Sequence, residues 1–348
     1  MRAFRKYARH LTLPTALLLA ALTSVSAAAE AATDGVRLRG EAVVVAGEAV
    51  ALPLAAGERL TATTGSTDGW FAAGVQTAID HGAERARLTL WQGDDTAADA
   101  LPVPATHGRF LASPSLLAAD GAPLGFAWLE GSDRERAAVR WATWNGAGWN
   151  AAETLSPTGP GAQLGLAAAR LDDGRVLLAW SRFDGEDDEI YWSLGGVDGF
   201  SAPARLEADD RVPDHTPAVA AVAGGALAAW TAFDAASRQY RVMSARFDGN
   251  AWSAPEALGP VGSLYPSFEA SPADGGALVL YRRATPRGWE VVETDAAGRS
   301  LRRANAEASA PERPAASLAD GAPLLLFADR REPLDWQDLA LTPAEVSP

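Results

Sequence analysis

The chain has 348 residues, with 44 acidic against 30 basic side chains, a net charge of −14 and no cysteine. Disulfides are therefore excluded, and the acidic balance opposes binding to nucleic acid or to an anionic lipid surface. With 48% apolar residues the chain can bury a large core without covalent staples.

The first 29 residues read as a secretory signal peptide. MRAFRKYARH is basic, LTLPTALLLAALTSV is apolar, and SAAAEAA offers cleavage after Ala27 or Ala29. The apolar run is too short to span a bilayer comfortably. Its removal takes away four basic residues and moves the net charge to near −18. The expected mature protein is a single domain over residues 30–348, secreted or periplasmic, monomeric, and not inserted in a membrane.

VRLRGEAVVV follows and reads as one strand. WFAAGVQTAI, RARLTLW and ALPVPA then read as the second, third and fourth strands of a divergent unit. Beyond residue 105 the chain repeats itself. Trp128, Trp180, Trp230, Tyr281 and Phe327 end apolar runs at spacings of 52, 50, 51 and 46 residues. Most are preceded by a tight-turn pair: Asp120-Gly121, Asp173-Gly174, Gly224-Gly225, Asp274-Gly275 or Asp320-Gly321. Such pairs between apolar runs signal hairpins in which both turn residues take positive φ. A second marker places Trp149, Phe200 and Trp252 at spacings of 51 and 52, with Leu301 another 49 on. These aromatics, as in RFDGNAWSAPEALG, are expected to pack between neighbouring units.

Each unit reads as four antiparallel strands. Inner strands begin near Phe110, Gln163, Thr216, Tyr265 and Pro314, and LDWQDLALT is the third strand of the last unit. A period of about fifty residues with four strands per period predicts an all-β propeller. Six four-stranded blades are expected, closed by the N-terminal strand; seven would need more structure within residues 33–65.

SPSLLAADGAPLGFAWLEG with AAVRWATWNGAGWNAAETL, and RFDGEDDEIYWSLGGVDGFSAPARL, resemble the sialidase superfamily of six-bladed propellers with BNR, or Asp-box, repeats. The Asp-box reads Ser-x-Asp-x-Gly-x-x-Trp; Gly249 and Trp252 keep its last spacing, while Phe247 and Ala245 stand at the Asp and Ser positions. The resemblance implies three carboxylate-binding arginines, an acid/base Asp and a Tyr nucleophile polarised by Glu. Arg182 with Asp184, Arg282 or Arg283, and Arg330 or Arg331 match parts of that set. The nucleophile does not: RPAASLADG has Ala at the expected phenol, and Glu269 is out of register. An eroded, non-catalytic site follows from the resemblance.

The loops joining strands two to three and four to one share one face, around the central mouth, and here they are highly charged. Arg182, Asp214, His215, Tyr265, Arg282, Arg283, Arg313 and Arg330 are the candidate ligand-binding residues, suited to a glycan or a protein. Asp184 and Glu312 are the candidate catalytic carboxylates if the protein is a glycoside hydrolase. Asp184, Asp187 and Asp188 could supply hard oxygen ligands to Ca²⁺, although no EF-hand spacing is present. Four histidines without a zinc motif, and no phosphate loop, give no other cofactor. The third reading is a structural subunit of a cell-envelope assembly.

Overall fold

The computed structural model describes residues 36–39, 42–45, 48–54, 58–66, 69–80, 83–94, 96–119, 121–156, 163–208, 212–270, 277–286, 288–306, 315–319, 322–326, 331–333 and 337–338. The signal-peptide segment, the pairs Asp274-Gly275 and Asp320-Gly321, and Glu312, Arg313 and Arg330 lie outside the described residues.

All the strands pair antiparallel, and the hydrogen-bonded order follows the sequence order within each unit. Sheet I holds Glu58–Ser66, Gly69–Asp80, Ala83–Gly93 and Ala98–Leu101. Sheet II holds Phe110–Ala119, Ala122–Gly131, Ala138–Thr143 and Glu153–Thr154. Sheet III holds Gln163–Arg170, Val176–Phe183 and Asp188–Gly196, with Gly199–Phe200 and Ala204–Arg205 sharing the outer edge. Sheet IV holds Asp214–Val222, Gly225–Asp234, Gln239–Phe247 and Glu256–Ala257. Sheet V holds Ser263–Ala270, Ala277–Thr285, Gly288–Thr294 and Ser300–Ala306. Sheet VI holds Ala315–Ala319, Ala322–Leu326 and Arg331–Pro333. The fold is all-β, built from successive antiparallel four-stranded sheets in a propeller-like manner.

Both ends differ from the sequence-based expectation. VRLRGEAVVV forms two strands, Val36–Arg39 and Ala42–Val45, which join Glu48–Ala51 in a separate three-stranded sheet. Val43, Val50 and Leu52 of that segment pack with Trp70, Ala72 and Trp91 of sheet I. Residues 33–65 therefore hold more structure than one closing strand. At the other end, Arg331–Pro333 is the third strand of sheet VI, and Gln337–Asp338 pairs with Ser300–Ala306 on the outer edge of sheet V. That outer strand would otherwise leave its amides and carbonyls unpaired.

The sheets are joined by buried aromatics. Trp128, Trp180 and Trp230 are inaccessible to solvent, and Tyr281 nearly so. Each lies on the second strand of its sheet and packs back onto the sheet before it. Trp128 shares a buried cluster with Phe71, Ala73 and Leu88, and Trp180 with Leu117, Ala127 and Leu129. Trp230 shares one with Ala167, Ala169, Leu177 and Ala179, and Tyr281 with Ala218, Ala220 and Ala229. Small alanines on one face make the room that the indole of the next sheet fills.

The second marker also packs between sheets. Trp252 lies 5.9 Å from Trp192 of sheet III, and Phe200 lies 5.2 Å from Trp141 of sheet II, ring centre to ring centre. The Trp149 indole donates to the carbonyl of Pro102, at 2.7 Å. In sheets I, II, IV and V an Asx side chain closes the turn between the third and fourth strands. Asp94, Asn145, Asp248 and Asp295 each accept two backbone amides within the following four residues. In sheet IV the turn-forming aspartate is thus Asp248, one position later than the Asp-box pattern requires.

The hairpin turns need only one left-handed residue, not two. Gly121, Gly174 and Gly224 take φ of 74°, 84° and 77°, whereas neither Asp173 nor Gly225 has positive φ. At 171–175 the Gly174 amide donates to Leu171 and the Leu171 amide to Arg175, a three-residue loop ending in a left-handed glycine.

Truncating one inter-sheet indole leaves a cavity that the flanking alanines cannot fill. Trp230→Ala is expected to cost about 3–5 kcal/mol in urea unfolding, against a much smaller loss for the half-buried Trp252. Equal losses at the two positions would contradict this role for the second-strand aromatic.

Candidate functional site

The inner strands share a defect at one position. Ser113, Gly165, Thr216 and Tyr265 have φ of 49°, 55°, 51° and 55°, and each sits in a break of strand register near the start of its strand. The residues fall at spacings of 52, 51 and 49, so the defect recurs sheet by sheet. Glycine takes this conformation freely; for the other three it costs on the order of 1–3 kcal/mol each. Ser113, Thr216 and Tyr265 also precede prolines, which ordinarily push the preceding residue into extended backbone.

Hydrogen bonds across the sheets hold these bulges. The Tyr265 amide donates to Thr231 Oγ1 at 2.9 Å, and Thr231 Oγ1 lies 3.0 Å from Thr216 Oγ1. One sheet earlier, Ser181 Oγ donates to the carbonyl of Asp214 at 2.9 Å. Thr231 and Ser181 both directly follow the buried tryptophan of their strand. The same strands that lock the sheets together therefore set the mouth.

Around the bulges lies a cluster of titratable groups from four sheets. His215 Nδ1 is 3.6 Å from Asp188 Oδ2, too far for a hydrogen bond. The His215 and Tyr240 rings are 6.0 Å apart, and Tyr240 packs edge-on against Phe233 at 5.3 Å. Arg134, on a short 3₁₀ turn of sheet II capped by Asp133, acts electrostatically on Asp188. Tyr265 feels both Tyr240 and Arg282.

Enclosure dominates the chemistry of this cluster. Desolvation lowers His215 to about 4, so its imidazole is neutral at physiological pH. Desolvation raises Asp188 to about 6, with Asp187 and Asp184 adding to the rise and Arg134 opposing it. Burial also raises the Tyr240 and Tyr265 phenols, which stay protonated donors. The His215–Asp188 approach is consequently not an ion pair near neutrality. It is a neutral acceptor beside a carboxyl group that titrates near the working range. His215 nonetheless keeps 29% of its side chain accessible and Asp188 19%, so neither is sealed from solvent.

The residues expected from the sequence divide into three groups. His215 and Tyr265 are brought together here, with Asp188, which had been read only as a metal candidate. Arg182 stacks on Tyr191 at 5.3 Å, and Asp184 pairs with Arg205 while accepting the Glu186 amide, so Asp184 closes its loop. Arg282 is fully buried, and Arg283, on the opposite strand face, pairs with Glu290. Asp214 is buried with contacts inside the fold, as are Asp187 and Glu189. Among the described residues no three His, Asp or Glu side chains converge as a metal site would require. Tyr240, Thr231 and Arg134 went unnoticed as individual site residues. The available signal was their position: Tyr240 and Arg134 flank loops between second and third strands, on the face where inner strands begin.

No protein-family model matches the chain, and no curated relative does. Solved structures do resemble it. An α-L-arabinanase of Penicillium chrysogenum complexed with arabinobiose matches with a TM-score of 0.52 at 10% identity, over 78% of this chain and 90% of that one. A polysaccharide lyase, a PL25 ulvan lyase bound to -[GlcA(1-4)Rha3S]-, matches with a TM-score of 0.52 at 9% identity, over 81% and 86%. A protein of unknown function from Dyadobacter fermentans matches with a TM-score of 0.52 at 12% identity, over 74% and 86%. At such identities the likeness is one of fold: that of β-propeller-like proteins, a class that includes glycan-processing enzymes.

His215 and Asp188 should impose opposite pH dependences on stability. An imidazole held neutral destabilises the fold as pH falls from about 6.5 to below about 4. A carboxyl held protonated destabilises it above about 6, and that cost disappears as pH falls below about 4. Urea unfolding between pH 6.5 and 4 should therefore show His215→Gln gaining stability relative to wild type as pH falls, and Asp188→Asn losing it. Parallel profiles for the two variants would refute the assignment.

Proposed function

We propose that this is an exported β-propeller-like protein, of six blades formed by sheets I to VI, that binds a glycan in the recess around His215, Asp188, Tyr240 and Tyr265. The carrying observation is the His215–Asp188 approach, flanked by the Tyr240 ring and still partly open to solvent. Phenol and imidazole faces supply flat apolar surface for sugar C–H groups, and their polar atoms supply orientation. The sialidase resemblance is retained for the scaffold only. That arabinanase and that ulvan lyase act on glycans supports the ligand class. Net charge, −14 for the whole chain and near −18 without the expected signal segment, separates the two: the field of the chain repels a polyanionic chain such as the sulfated uronate polymer and leaves a neutral oligosaccharide unaffected.

Calorimetric titration of the mature protein with neutral arabino- and xylo-oligosaccharides, and with uronate-containing ones, tests this. The neutral series is expected to bind, with His215→Ala weakening it by about tenfold or more. Binding of the uronate series alone would sink the charge argument, and binding of neither would sink the glycan reading.

The second reading, a glycoside hydrolase, is favoured by Asp188, whose Oδ1 has no hydrogen-bond partner and whose carboxyl is raised to about 6. Such a group can deliver a proton to a glycosidic oxygen. On this reading, turnover of aryl glycosides falls by at least about a hundredfold in Asp188→Asn, while Asp184→Asn acts through loop stability. No turnover by the wild type leaves a binding protein.

A further inference from the structure

The strained position that recurs on the inner strands of sheets II to V is occupied by Ser113, Gly165, Thr216 and Tyr265. Three of the four occupants are small. Ser113 is buried at 4% exposure, and at Gly165 an added Cβ would come within 3.3 Å of the Thr216 backbone, so neighbouring inner strands touch there. Only Tyr265 carries a large side chain, and that side chain is half-buried rather than packed away.

A bulky residue in left-handed backbone is an outlier, because its Cβ crowds the carbonyl group. Glycine would occupy the position without strain, as it does at residue 165 of sheet III. Tyr265 is therefore held against its own preference, and against that of a residue preceding Pro266, by the Thr231 hydroxyl on its amide. The strain gains nothing for the sheet, since the equivalent bulge forms with no side chain at all. What the phenol adds is a half-buried ring on a residue whose amide is bonded to Thr231, which in turn meets Thr216, the chain neighbour of His215.

We propose that Tyr265 is the specificity-determining residue of the mouth, its ring set by the enforced left-handed backbone to face an uncharged sugar of the bound glycan. This rests on the glycan reading given above. The ring face takes the C–H side of the sugar, and the hydroxyl donates to a sugar oxygen. Ser113, Gly165 and Thr216 fix the same backbone turn in the other sheets and leave space for neighbouring sugar units.

Removing strain and removing recognition separate in one variant. Tyr265→Gly is expected to melt at or above the wild-type temperature, because glycine adopts positive φ freely. The same variant is expected to lose about tenfold or more in affinity for the best-binding neutral arabino- or xylo-oligosaccharide. Tyr265→Phe should keep the ring contact and lose only part of that affinity. A Tyr265→Gly variant that melts well below wild type would make the ring a packing element and overturn the proposal. Unchanged affinity in Tyr265→Gly, with wild-type binding intact, would overturn this assignment alone. No binding by the wild type to any oligosaccharide of the series would overturn the glycan reading and this assignment with it.

Discussion

The fold depends on one repeated contact: a buried indole or phenol on the second strand of a sheet, set against the apolar face of the sheet before it. Trp128, Trp180, Trp230 and Tyr281 each make it, and each core cluster of sheets I to V spans two adjacent sheets. A four-stranded sheet buries too little alone; stacking in series gives it two covered faces. The short outer strands and the Asx-closed turns then need only hold the periphery.

That contact also fixes the mouth. Where the residue after the aromatic is Ser181 or Thr231, it hydrogen-bonds the inner strand of the next sheet. The inner-strand bulges are thereby held in backbone that they would not choose. Inter-sheet packing, worth several kcal/mol per aromatic, outweighs strain on the order of 1–3 kcal/mol per bulge. The balance lets the protein keep a strained tyrosine and a desolvated histidine.

Much of the architecture was legible because its causes are local and periodic. The aromatic spacing, the Asp-Gly and Gly-Gly turns, and the second and third strands of sheet I follow from alternation and turn chemistry that each segment carries. The first strand, Glu58–Ser66, was not legible, and the fourth, Ala98–Leu101, begins ahead of the ALPVPA segment expected to form it. The chain ends were not legible. VRLRGEAVVV has one apolar run but two strands, and the 331–338 segment divides between two sheets. Strand length and register there are decided by which edge is free, which no local pattern records. At the site, charge runs drew attention to Arg182 and Asp184, which the fold uses against Tyr191 and Arg205. Asp188 lies in the same acidic run and differs only in facing His215 across the gap between sheets.

By itself the sequence determined the strand class, the fifty-residue period and the aromatics that join the units, since each depends on residue type at a fixed spacing. Only the tertiary structure decided which polar groups meet. Arg134, Asp188, His215, Tyr240 and Tyr265 come from four sheets, and their ionisation follows from enclosure that exists only once those sheets are packed. RFDGNAWSAPEALG shows the division: its Asp248-Gly249 turn and its aromatic were readable, and the amides that Asp248 accepts are local to that turn, while the packing of Trp252 against Trp192 exists only between sheets.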